Sequence, residues 1–230
     1  QFTGSTPAVD YTFRIYPYTN TGVNIDYKTD GTIPEQMATT LPSLDSDVIL
    51  TTPFVVGPSV DYTSFQGADV TIGSFLLSSF DIRDGGADND ADMAPTVLTG
   101  ITFNLSNSAN LSRIALYEGT TELGEISAGA TATFNSLTVS APDNGTTTLD
   151  VYVTFNTAVT DGVQVQITVA NVTSQPGNSG FALADGGGAS RTSSPIEVSA
   201  TAINIVQQPS ATANQYVALT QQPIFEAVDI

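Results

Sequence analysis

Along most of this chain, apolar and polar residues alternate in short runs, and turn residues interrupt the runs at roughly ten-residue spacing. Within residues 11–18, Tyr11, Phe13 and Ile15 fall on one face and Thr12, Arg14 and Tyr16 on the other. That is the period of a strand with one side buried. The same pattern predicts strands at 48–52, 70–75, 79–82, 97–105, 112–117, 122–127, 131–139, 148–155, 163–172 and 196–205. Between them stand Asp30-Gly31, Glu118-Gly119, Asp143-Asn144-Gly145, Asp161-Gly162 and Pro176-Gly177-Asn178. These residue types tolerate the left-handed backbone that tight turns need. No stretch carries a helical period. The expectation is an all-β chain built from β-sandwich modules.

Composition narrows the function. Hydrophobic residues make up 40% of the chain, enough for a core and too many for a disordered segment. Acidic residues number 23 against 5 basic, a formal net charge of -18. Nucleic acid and anionic membrane surfaces are therefore poor partners, since both rely on clustered Lys and Arg. The chain has neither Cys nor His, which removes thiol nucleophiles, Ser-His-Asp triads and the usual zinc sites. A carboxylate pair remains as the one enzymatic option. It needs an acid held in an apolar cleft, and the acids here cluster in a hydrophilic loop, so the chain is read as not an enzyme. No apolar run reaches membrane-spanning length, so direct membrane insertion is not expected. The N-terminus lacks a signal-peptide pattern, and an export signal would lie outside this sequence.

Two seams divide the chain. Thr39-Thr40-Leu41-Pro42-Ser43 reads as a linker, and Gln207-Gln208-Pro209-Ser210 breaks the last long strand pattern. They separate residues 1–41, 42–205 and 206–230. The central block is long enough for a complete sandwich, whereas neither flank can bury a core alone. The expectation is a piece of a longer multidomain protein, cut within modules at both ends. The alternative is that the flanking strands pack onto the central block and make one domain.

One segment carries chemistry. Asp81, Asp84, Asp88, Asp90 and Asp92 lie within twelve residues, with Arg83 the lone cation among them. Carboxylates about 4 Å apart at an effective dielectric near 20 repel by roughly 4 kcal/mol before screening. Such a loop either splays into water or folds around a hard cation, and Ca²⁺ takes six to eight oxygens of this kind. Asp88, Asp90 and Asp92 share one side if the loop is extended. Gly85-Gly86 permits a tight turn that brings Asp84 back towards them. Asp81 falls on the outward face of its strand, where it reaches the loop or simply meets solvent. The spacing is not that of an EF-hand: counted from Asp88, the glycine position holds Met93 and the last ligand position holds Thr99. Asp185, in a Gly-rich turn, completes the shell if the two loops meet at one pole. A merely solvated acidic loop is the alternative to calcium. Magnesium fits less well, because it keeps its waters.

The segment from Pro7 through Tyr11, Phe13, Ile15, Tyr16-Pro17-Tyr18 to Gly22 resembles the E–F corner and F strand of a fibronectin type III domain. In that resemblance Tyr11 forms the tyrosine corner, the run from Asp26 to Thr40 supplies the F–G loop and last strand, and Pro17 departs from the usual small residue. The central block is similar to immunoglobulin-like modules of giant Bacteroidota surface proteins of the gliding-adhesin (SprB-like) kind, exported by the type IX route. Phe80-Asp81-Ile82-Arg83-Asp84, Asp88 to Asp92, Pro95 to Phe103, Arg113 to Gly119 and Phe181 to Gly188 carry that likeness. Val206-Gln207-Gln208-Pro209 and Phe225 to Asp229 resemble the opening of a following module. The likeness implies immunoglobulin-like and fibronectin III-like sandwiches in tandem, an extracellular or cell-surface location, and a structural or adhesive role in adhesion or gliding; calcium in the Asp loop is then expected to stiffen the array. Neighbouring modules of the same chain, surface glycans and other surface proteins are the expected partners. A carbohydrate-binding accessory module of a secreted hydrolase is the alternative. The chain has no Trp, the usual sugar platform. Tyr16 and Tyr18 either stack on sugar rings or are ordinary sheet-surface aromatics.

Overall fold

The computed structural model describes residues 9–40, 42–52, 57–182, 188–200, 202–212 and 215–228. The alternating runs form strands, and the described residues hold only three short 3-10 turns besides. β1 (Asp10–Arg14) pairs antiparallel with the later β4 (Glu35–Thr39), and β2 (Tyr18–Thr19) with β3 (Asp26–Tyr27) in the connection between them. The centre comprises β5 (Asp47–Leu50), β6 (Val60–Asp61), β7 (Phe75–Arg83), β8 (Thr96–Leu105), β9 (Leu111–Glu118) and β10 (Thr121–Ser127). It continues with β11 (Thr131–Ala141), β12 (Thr146–Phe155), β13 (Gln166–Ser174), β14 (Ser190–Thr192) and β15 (Ile196–Glu197). The last pair is β16 (Ala202–Gln207) with β17 (Ile224–Val228).

Two antiparallel sheets dominate: a five-stranded one in the order β10-β9-β12-β7-β5 and a four-stranded one in the order β11-β8-β13-β14. Their inner faces share one core. Phe80 of β7 meets Phe103 of β8 with ring centroids 5.4 Å apart, and Phe103 meets Phe134 of β11 edge-on at 6.2 Å. Burial alternates along β11, where Ala132 and Phe134 face inward. A strict alternation would then turn Leu137 outward. A register shift after Asn135, with Ser136 in the left-handed region, resets the phase and keeps Leu137, Val139 and Ala141 inside. β1 to β4, β16 and β17 contribute no residue to this core.

The open side between the sheets is held by Arg191 of β14. Its guanidinium donates to the Ser78 hydroxyl at 3.2 Å and to the Thr51 carbonyl at 3.0 Å, both on the opposite sheet's side. Burial lowers its pKa. The turn residues behave as their chemistry dictates: Gly31, Gly119, Asn144, Gly162 and Gly177 all have positive φ.

Two expected strands differ. Residues 70–75 form a turn, from which β7 starts only at Phe75. Val70 packs on Ala115, Tyr117 and Tyr152 on the outer face of the larger sheet, and its carbonyl accepts from the Tyr117 hydroxyl at 2.7 Å. The run at 196–205 is divided into β15, which pairs parallel with β6, and β16, which pairs with β17.

Candidate metal centre

Both chain crossings that matter here occur at one pole. β7 leads into β8, and β11 leads into β12, each passing from one main sheet to the other. Because β7 and β12 are paired with Arg83 opposite Thr146, the loop after Arg83 and the turn before Thr146 start side by side. The Asp84 amide continues the ladder by donating to the Gly145 carbonyl at 3.0 Å.

Beyond Asp84 the backbone coils tightly. Gly85 and Gly86 have φ of +67° and +64°, where side chains are disfavoured. A β-carbon on Gly85 would lie 2.6 Å from the Asp90 nitrogen, and one on Gly86 would lie 2.5 Å from the Asp45 carbonyl oxygen. These close approaches fold the chain back so that Asp90 faces Asp84. Asn144, itself at φ +53°, ties the two segments together. Its amide donates to Asp84 Oδ2 at 2.8 Å, its side-chain oxygen accepts from the Asp90 amide at 2.7 Å, and its side-chain nitrogen donates to the Asp90 carbonyl at 3.2 Å.

The result is a convergence of three carboxylates. Single oxygens of Asp84, Asp90 and Asp143 all lie within 4.8 Å of one another. Two ligand oxygens across a calcium ion are separated by at most about 4.6–5.2 Å, twice the metal–oxygen distance. Asp84 is fully buried, Asp90 half-buried and Asp143 exposed, so the group has a dry inner end and a wet mouth. Burial pushes the Asp84 carboxyl up. The Thr96 hydroxyl and the Asn144 amide oppose the rise, the charges of Asp90 and Asp92 add to it, and the carboxyl stays above its ordinary range. Among the described residues no ion pair reaches Asp84, Asp90 or Asp143. Arg83, the cation nearest in sequence, is committed to Asp47 on β5 through a two-pronged contact. Three hard oxygens with no basic counter-charge suit a hard divalent cation rather than a thiolate- or imidazole-seeking metal.

The chain matches no protein-family model and no curated protein.

Of the residues singled out in sequence, Asp84 and Asp90 meet. Asp143 joins them from a turn that reads in sequence only as turn chemistry. Asp81 lies on β7 and accepts from the hydroxyls of Thr51 at 2.8 Å and Thr148 at 2.6 Å, on the two neighbouring strands' side of the sheet. Asp88 is exposed and lines a separate open groove of about 400 Å³ with Asp45 and Asp47. Asp92 turns inward. Asp185 lies outside the described residues. Asn89, between Asp88 and Asp90, adopts positive φ and breaks the alternation, so Asp88 stays apart, whereas Asp90 accepts from the Ser43 hydroxyl and Asp92 from the Ser43 amide.

Asp92 is a clamp. Buried at 2% exposure, it accepts from the Ser43 amide at 2.7 Å, the Ala94 amide at 2.8 Å and the Ser179 hydroxyl at 2.8 Å, joining its own loop to two distant segments. Burial pushes its carboxyl up, but these donors outweigh that and hold it below the ordinary range. A depressed folded-state value contributes stability above the unfolded carboxylate value and loses it as pH falls through the folded one. Asp92→Asn turns an amide N–H towards these donors and is expected to lower stability by about 1–3 kcal/mol at neutral pH. Urea unfolding should show that deficit shrinking as the native protein itself loses the contribution in acid.

Proposed function

We propose that this chain is a calcium-stabilised structural module of a large bacterial cell-surface protein, serving adhesion or gliding. The observation that carries the calcium part is the meeting of Asp84, Asp90 and Asp143 within one ion's reach. An ion there ties the β7–β8 crossing to the β11–β12 turn, so it fastens both routes by which the chain changes sheets at this pole. Oxygens from waters and from the nearby backbone complete the six to eight that calcium takes. At a hundredfold excess over its dissociation constant, the ion adds about 2.7 kcal/mol to the folded state.

An immunoglobulin-like sandwich is the finer reading of the centre. The order β5-β7-β12-β9 parallels the ABED sheet of that fold and β8-β13-β14 parallels CFG, with β10 and β11 as additions. The antiparallel pairing of β1 with β4 supports the resemblance of the N-terminal segment to the end of a fibronectin III-like module. Residues 1–41 and 206–230 are then parts of neighbouring modules around a central one at 42–205, a division supported by the absence of their described residues from the core, with β16 running across the second boundary to pair with β17. Extracellular location, and surface proteins as partners, follow from the likeness to gliding adhesins.

The test is calorimetric titration of the metal-stripped chain with calcium and with magnesium. Calcium is expected to bind with heat, and magnesium far more weakly. Asp84→Asn and Asp143→Asn should each weaken calcium binding at least tenfold, about 1.4 kcal/mol, while Asp81→Asn leaves it unchanged. Equal binding by all three variants would overturn the assignment.

A further inference from the structure

A second site lies on the small β2–β3 sheet, far in character from the acidic centre. Tyr18 and Tyr27 stand directly opposite each other in its register. Their rings are tilted by 57° with centroids 6.0 Å apart. A sheet of two residues per strand cannot hold itself by backbone bonds alone, so the ring pair helps to close it, aided by the Lys28 amide donating to the Pro17 carbonyl at 2.8 Å. Closure does not require the rings to face water, yet Tyr18 is 61% and Tyr27 55% exposed. Both line a groove of about 440 Å³ that also takes in Asp26, Lys28 and Asp30. That volume is in the range of small-ligand sites.

The polar groups in the groove are matched. The Lys28 ammonium holds Asp30 Oδ1 at 3.2 Å, setting a donor beside an acceptor, and Asp26 offers a further acceptor. A donor–acceptor pair next to an exposed ring suits a ligand with an apolar C–H face and adjacent hydroxyls. The ring stacks against the phenol face, where the quadrupole is negative and C–H edges are positive. One hydroxyl then donates to a carboxylate while its neighbour accepts from the ammonium. Two acids against one base leave the groove negative, and the whole chain carries -18, which disfavours acidic sugars. We propose that the Tyr18–Tyr27 groove binds a neutral oligosaccharide, independently of the metal centre.

The test is binding of the full chain to an immobilised panel of neutral and sialylated oligosaccharides, repeated with a chelator. Retention on at least one neutral oligosaccharide is expected, unchanged by the chelator. Tyr18→Ala should weaken it about tenfold, the scale of one lost aromatic contact. Lys28→Ala keeps the ring pair that closes the sheet and should also weaken binding, so loss cannot be blamed on an opened hairpin. No retention on any neutral sugar, retention on sialylated sugars only, loss with the chelator, or full affinity in both variants would each overturn the proposal. Chelator sensitivity bears on calcium as well, but calorimetric calcium binding is measured without any sugar, so the two proposals fail separately.

Discussion

Phe103→Ala is expected to remove about 3–5 kcal/mol of stability, the range for deleting a fully buried Phe. The side chain is completely enclosed. Among the described residues it is the one ring that touches aromatic neighbours on both main sheets, Phe80 and Phe134. Its loss opens a cavity between layers that are fixed by their own hydrogen-bond ladders and cannot collapse to fill it. For an ordinary domain with a net stability of about 5–15 kcal/mol, that is a large share. Urea unfolding followed by tyrosine fluorescence checks it. A loss under about 1 kcal/mol would mean that the two sheets do not depend on this contact.

Gly86→Ala is expected to cost more than about 2 kcal/mol, combining the penalty of a left-handed alanine with a steric clash. The added carbon would meet the Asp45 carbonyl oxygen at 2.5 Å, and that atom is backbone, so a whole segment must move. Gly119→Ala is the control: φ there is +59° and nothing lies within 4 Å of the added carbon, so only the conformational penalty of about 1–2 kcal/mol applies. The difference between the two variants isolates the close approach. Because Gly86 forms part of the coil that returns Asp90 to Asp84, Gly86→Ala should also reduce the rise in melting temperature that calcium produces, whereas Gly119→Ala should leave that rise intact.

The long strands were legible because period-two burial is written directly into residues such as Phe80, Ile82, Phe103 and Leu105. The turns were legible because Asn144, Gly119 and Gly162 do what few other residues do. Residues 70–75 misled for an instructive reason. Val70 is apolar and buried, but it covers the outer face of a sheet from a loop, and Ile72 is left half-exposed by the turn. β6 and β15, two residues each, are too short for any period to register. Asp84 and Asp90 stood out by local density and by the glycines between them. Asp143 did not, since its proximity to Asp84 follows from the pairing of Arg83 with Thr146, a fact of register that no local pattern encodes. Asp92 has the same local signature as Asp90, and only the fold shows that it turns inward to the Ser43 and Ala94 amides and the Ser179 hydroxyl while Asp90 faces Asp84 and Asp143. Tyr18 was visible as an exposed aromatic, but its partner Tyr27 emerged only from the β2–β3 register.

The parallel pairing of β6 with β15, Val60 beside Ile196 and Asp61 beside Glu197, has a mechanical consequence. Strands that run side by side in the same direction, one following β5 and the other preceding β16, are pulled in opposite senses once tension on the chain reaches them. Tension then slides them lengthwise past each other and loads their bonds simultaneously, instead of peeling them apart singly. Because β5 precedes β6 and pairs with β7, tension reaches this pair only after β5 has been loaded, and the parallel strands act as a second catch behind it.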